Sequence, residues 1–202
     1  MIAIPRTVQI IFAICIFFIF YASAYAEKPY QIVQIQSNED NVVKSGETII
    51  VYATYNVSDG QKVTGIGIQI HYNSNFLRLL SIDSTYPEGE QGYITKKDAN
   101  NDDDDLLTNR AIVMAWSSLG GNTWPYKELP IELMRMTLQV QDVGESEMTQ
   151  INVIDTSTPG DYTFQGKNLH LFINSTKKLD INDDGFFNMI DVLQTFKHVI
   201  QN

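Results

Sequence analysis

Five oxygen-bearing side chains near the C-terminal end of this chain recur at the spacing a hard metal ion requires. Counted from Asp180, they fall at positions 1, 3, 5, 9 and 12 (Asp180, Asn182, Asp184, Asn188 and Asp191), with Gly185 at position 6. Calcium takes about six to eight oxygen ligands, and a short loop supplies them only if alternate side chains turn inward and the chain bends sharply at a glycine. Phe186, at position 7, would contribute its backbone carbonyl, Asn188 would bind directly or through water, and the Asp191 carboxylate would close the shell. The predicted metal ligands are therefore Asp180, Asn182, Asp184, Phe186, Asn188 and Asp191, and the predicted cofactor is Ca2+.

A loop of this kind needs a helix to hold its last ligand. Met189, Val192, Leu193, Phe196, Val199 and Ile200 recur at i, i+3, i+4, i+7, i+10 and i+11, the single apolar stripe of an amphipathic helix. A lone amphipathic helix is marginal in water. Its stripe is expected to be covered by the preceding domain, by a second copy of the chain or by a partner.

Other candidate sites are weaker. Asp98, Asn100 and Asp102 repeat the D-x-N-x-D opening of a calcium loop, but Asp103 stands where the glycine is needed and Asn109 at position 12. The expectation for Asp98 to Asp105 is a solvated, mobile loop that attracts calcium only loosely. Trp116, Trp124, Tyr126, Tyr86 and Tyr93 could stack on sugar rings. Trp116 shares a strand face with Ile112 and Met114 and reads as core, whereas Trp124, beside Pro125 in a loop, reads as the better surface candidate. No serine sits in G-x-S-x-G, no H-E-x-x-H occurs, and His71, His170 and His198 are scattered, so no catalytic residues are assigned and the chain is read as a non-enzyme. Asn56 and Asn174 head glycosylation acceptor triplets, which matter only where the source glycosylates exported proteins.

The start of the chain sets the compartment. Arg6, an apolar run from Val8 to Tyr21 and Ala24-Tyr25-Ala26 read as a secretory signal peptide, residues 1–26, with cleavage expected before Glu27; the alternative is an uncleaved membrane anchor, because the run is nearly long enough to span. Cleavage would remove Cys15, the only cysteine, so no disulfide or thiolate site is expected in the exported protein. The net charge of −10 makes nucleic acid and anionic lipid poor partners and suits calcium or neutral polysaccharide.

Between Tyr30 and Asn174 short runs rich in Ile, Val, Tyr and Thr alternate with Gly, Asn, Asp and Pro. Strands are predicted over Gln31 to Gln36, Thr48 to Tyr55, Val63 to Tyr72, Leu77 to Ile82, Ala111 to Ser117, Ile131 to Val140, Thr149 to Val153 and Leu169 to Ile173. Period two puts Ile66, Ile68, Ile70 and Tyr72 on one face and Gln69 and His71 on the other. Met134, Met136, Leu138 and Val140 likewise share a face, and both strands read as buried on one side only, with methionine as core filler. The fold class is mainly β, a nine-stranded-type jelly-roll sandwich with a short C-terminal calcium loop and helix.

Two family resemblances follow from these residues. Asp at position 12, Asn at position 9 and the Leu-Asp-Ile-Asn opening of the 180–191 loop resemble a single calcium repeat of a dockerin, the module that plugs polysaccharide-degrading enzymes into cohesin-bearing scaffolds. A dockerin carries two such repeats, and there is room here for one. Lys44-Ser-Gly-Glu-Thr48, the run Val63 to Ile70 leading into Tyr72-Asn-Ser-Asn-Phe-Leu77, Leu79-Leu-Ser-Ile82, Ile112 to Ser117 and Pro130 to Val140 resemble the strands of a cohesin domain, with Asn73 and Ser74 where that family has Asp-Pro.

These resemblances imply three parts: signal peptide 1–26, cohesin-like sandwich 27–174 and dockerin-like repeat 175–202. The implied function is a secreted, calcium-binding protein–protein interaction module of extracellular or cell-surface assemblies, linked to polysaccharide. The alternative is a carbohydrate-binding module with a structural calcium site. The expected partner is a protein or a polysaccharide in the extracellular space.

Overall fold

A computed structural model describes residues 27–175, 189–190 and 192–194. The predicted signal peptide therefore lies outside the described residues. Eleven strands follow one another: β1 (Tyr30–Ser37), β2 (Val42–Lys44), β3 (Thr48–Val57), β4 (Gly65–Tyr72), β5 (Leu77–Ser84), β6 (Glu90–Lys97), β7 (Arg110–Ser117), β8 (Ile131–Val140), β9 (Glu147–Ser157), β10 (Thr163–Lys167) and β11 (Leu169–Asn174). They form a five-stranded sheet, β10-β1-β3-β8-β5, and a six-stranded sheet, β2-β11-β9-β4-β7-β6. All pairings are antiparallel except β1 with β10 and β2 with β11. The two inner faces enclose one apolar core, as a sandwich requires.

The strands carry the alternation that makes them. In β3 every second residue, Ile49, Val51, Ala53, Tyr55 and Val57, is buried, and across the core β7 buries Ile112, Met114 and Trp116. Met134, Met136, Leu138 and Val140 of β8 are all buried, as period two predicts. Each such aliphatic side chain contributes about 1.5–3 kcal/mol by leaving water.

Strand β4 departs from expectation. Both of its faces are buried, and His71, expected on an open face, is 0% exposed. The reason is the connection from β6 to β7, which folds back over the six-stranded sheet. Asp98 N–H donates to Asn109 O (3.1 Å), and Asn109 N–H donates to Tyr72 O (3.1 Å), closing that loop onto the end of β4. Asn101 and Asp104 supply the left-handed turns it needs (φ 55° and 58°), a conformation their short polar side chains tolerate. A solvated, mobile loop was expected here; the loop is instead packed on the sheet.

Residues 189–190 and 192–194 are helical, where the apolar stripe predicts a helix. Met189 and Leu193 of that stripe are exposed in the single chain, taken without a second copy or a partner. Among the described residues no helix is long and apolar enough to cross a membrane.

Candidate functional site

Two features of the six-stranded sheet could do chemistry or recognition. The first is a polar cluster beneath the β6–β7 loop. Register places His71 of β4 directly opposite Asn152 of β9, and Gln150 of β9 opposite His170 of β11. The side chains of Asp98 and Asp103 descend from the loop onto this row and are fully buried, with His71 Nδ1 2.8 Å from Asp98 Oδ2 and 3.8 Å from Asp103 Oδ1. An ionised carboxylate only accepts, so Nδ1 carries the proton in the 2.8 Å contact. His71, Asp98 and Asp103 each bring one ligand-capable atom within 4.8 Å of the others.

Thr108 Oγ1 sits among four oxygens: 3.0 Å from each Asp103 carboxylate oxygen, 3.0 Å from the Asp105 carbonyl and 3.4 Å from Asp98 Oδ2. The hydroxyl has one proton for them all. Asn152 Nδ2 donates to Asp103 Oδ2 (2.8 Å) and Asp105 Oδ2 (3.2 Å), and Gln150 Nε2 donates to Asp105 Oδ2 (2.6 Å). Burial raises the Asp98 carboxyl, but hydrogen bonds from the Asp102 N–H, His71 and Thr108 outweigh it and hold the group below its ordinary range. Asp105 is lowered in the same way, its burial outweighed by Gln150, the Leu107 N–H and Asn152. Beside the cluster lies a groove of about 190 Å³, lined in part by Phe76, Leu107, Met148 and His170.

The second feature is a flat strip on the outer face. Register aligns Ile94 of β6, Val113 of β7, Gln69 of β4 and Ile154 of β9 in one cross-strand row. Ile94 is 69% exposed, and Val113, Gln69 and Ile154 are half-buried. The neighbouring row holds Ala115 and Gly67, side by side. Four strands at about 4.8 Å spacing span roughly 14 Å, enough to seat one helix of about 10 Å diameter.

The sequence-predicted sites fare differently. Asp180, Asn182, Asp184, Phe186, Asn188 and Asp191 lie outside the described residues. Of the aromatic candidates, Trp116 is buried as expected, its Nε1–H donating to Tyr86 O (2.9 Å). Trp124 is a correction. It is 0% exposed, packed 4.8 Å from Tyr55 and 6.1 Å from Tyr86 between ring centroids, with Nε1–H donating to Glu88 O (3.2 Å). Its backbone pairs with Val63, so the loop that carries it folds inward over the core edge. Tyr86 is buried too, leaving Tyr93 and Tyr126 exposed. Asp103, Thr108, Gln150 and Asn152 were not singled out by the sequence as site residues.

Fold and site together define a two-sheet jelly-roll β-sandwich with a roofed polar cluster on one sheet. No family model and no curated protein sequence matches the chain. Among solved structures it is similar to the seventh type I cohesin of ScaB from Pseudobacteroides cellulosolvens, at 11% identity and a TM-score of 0.50, over 73% of this chain and 94% of that one. It is also similar to a type I cohesin–dockerin complex from Clostridium thermocellum (12% identity, TM-score 0.47, 74% and 98% covered). A third is the cohesin module of a family 33 glycoside hydrolase from Clostridium perfringens (15%, 0.43, 72% and 98%). The likeness is one of fold: residues 30–174 form a cohesin-like sandwich.

Proposed function

We propose that this protein is a secreted, non-enzymatic interaction module that docks a protein partner on the outer face of its six-stranded sheet. The observation that carries the reading is the Ile94–Val113–Gln69–Ile154 row on a cohesin-like scaffold. A largely apolar row that runs over the interior strands β9, β4 and β7 to the edge strand β6 offers side-chain contact to a partner. The small neighbours Gly67 and Ala115 let a partner helix approach closely. Fold alone does not fix function; the strip and the cohesin-type sandwich support the same reading.

The predicted calcium loop, Asp180 to Asp191, belongs to this proposal as the element that orders the terminal helix, with export and a link to polysaccharide-degrading assemblies as its setting. A carbohydrate-binding role has less to stand on, because Trp116, Trp124 and Tyr86 are core residues. The test sets the mature chain against insoluble cellulose and chitin on one side and the secreted proteins of its source on the other. Saturable retention of a secreted protein is expected. Retention on polysaccharide with no protein bound would overturn the proposal.

A further inference from the structure

The cluster under the β6–β7 loop gathers three carboxylates, Asp98, Asp103 and Asp105, around neutral hydrogen-bond donors and His71. Asp98 and Asp103 have fully buried side chains, and the Asp105 carboxylate shares donors with Asp103. Among the described residues, no lysine or arginine forms an ion pair with any of the three: Lys96 pairs with Asp102 and Arg135 with Glu132. Buried carboxylates are costly unless paired or bound to a cation. The hydrogen bonds from His71, Thr108, Gln150, Asn152 and the loop backbone satisfy carboxylate oxygens, but no lysine or arginine among the described residues balances the charge of three converging carboxylates.

A second observation is independent of the carboxylates. Asn152 is 4% exposed, its carboxamide is inserted between Asp103 and Asp105, and its Oδ1 has no hydrogen-bond partner. A buried unpaired carbonyl is destabilising. Rotating the carboxamide half a turn would aim Oδ1 at the carboxylates, which is favourable only if a cation lies between them.

We propose that Asp98, Asp103, Thr108 Oγ1, the Asp105 carbonyl and Asn152 Oδ1 form a calcium site roofed by the β6–β7 loop. Every donor is an oxygen, the preference of a hard divalent ion. Thr108 Oγ1 lies 3.0–3.4 Å from its oxygen neighbours. Ligands at right angles on a sphere of about 2.4 Å radius are about 3.4 Å apart, so these separations match the edges of a calcium shell. His71 is a positioning residue: its Nδ1–H holds Asp98 Oδ2, the outer-shell contact that orients a ligating carboxylate. The site is distinct from the 180–191 loop and does not depend on the partner-docking proposal.

The test titrates the full chain carrying Asp180→Ala and Asp184→Ala, which silences the C-terminal loop, with Ca2+ by calorimetry after chelation. One equivalent of calcium is expected to bind. Adding Asp103→Asn weakens it by about 100-fold, Thr108→Val by about tenfold, and Asp104→Asn, at an exposed loop position, not at all. Thermal scans separate ligation from structural support. In chelator Asp103→Asn is as stable as its parent or more so, because a buried like charge is gone, and calcium no longer raises its melting temperature. Absence of calcium binding in the loop-silenced chain overturns the proposal. So does undiminished binding in Asp103→Asn, or equal destabilisation by Asp103→Asn with and without calcium. Binding of Zn2+ with calcium silent would overturn the oxygen-donor assignment, pointing to His71 as a ligand.

Discussion

Replacing Trp124 by alanine is expected to unfold the sandwich at markedly lower temperature while leaving any polysaccharide contact untouched. The side chain is fully buried, packs against the rings of Tyr55 and Tyr86 and donates to Glu88 O at 3.2 Å. Truncating a buried tryptophan costs about 3–5 kcal/mol. The two aromatic contacts and the hydrogen bond all sit at that one side chain, so about 4 kcal/mol is a reasonable centre. For a domain of this size each kcal/mol moves the melting temperature by about 2–4 °C, which gives a fall of roughly 8–16 °C. Trp124→Phe keeps the ring stack and loses the indole N–H, so a smaller fall is expected. The assay is thermal unfolding followed by far-ultraviolet circular dichroism, alongside retention on cellulose. A melting temperature within about 2 °C of the parent, with lost cellulose retention, would refute the core assignment and restore Trp124 as a sugar-stacking residue.

Three further outcomes follow from the same structure. Burial pushes the Tyr55 phenol well above its ordinary value, only partly offset by the hydrogen bond from Gln31. Unfolded tyrosine ionises near about pH 10, so this stabilisation is complete below that pH and is lost as pH rises through the higher folded value. Tyr55→Phe should flatten the alkaline limb of a stability–pH curve at a cost of about 1 kcal/mol near neutrality. Gly65→Ala places a Cβ 2.1 Å from Trp116 O at φ 148°, and denaturant unfolding should report a loss of about 3 kcal/mol. Calcium should raise the melting temperature of the intact chain through the 180–191 loop, by about 2.7 kcal/mol at a hundredfold excess over its dissociation constant, and Asp184→Ala should reduce that gain.

Alternation made the sandwich legible. Eight strands with one clean apolar face announce themselves in the sequence, and each is present in the structure with ends shifted by a few residues. The three that were missed lack that signal for identifiable reasons. Strand β6, Glu90–Lys97, is an edge strand with mostly exposed side chains and charged ends, a design that discourages edge pairing and erases the hydrophobic period. Strands β2 and β10 are short and pair in parallel with partners more than a hundred residues away. They bring the total above the nine-stranded pattern, as the N-terminal extended run divides between the two sheets.

The polar cluster was half visible. Asp98, Asn100 and Asp102 drew notice as a local motif, yet the groups that converge are Asp98, Asp103 and Thr108 with His71 and Asn152, residues on separate strands that only sheet register brings together. His71 read as an outward polar residue because nothing in β4 itself reveals that a distant loop covers it. Trp124 misled for the opposite reason. A loop tryptophan beside proline looks exposed until the Val63 bridge turns it inward.

The most direct measurement compares the parent chain with Val113→Asp, immobilised side by side and exposed to the secreted proteins of the source, with binding quantified and then repeated using the purified protein captured. Val113 sits mid-row in the outer strip and is partly buried, so a carboxylate there disrupts an apolar contact at some cost to the strand. The account predicts a folded chain with a modest fall in thermal stability, about 1 kcal/mol, and a loss of about 30-fold in affinity, the roughly 2 kcal/mol of a central interface residue. Equal affinity for the purified partner on both chains would contradict it.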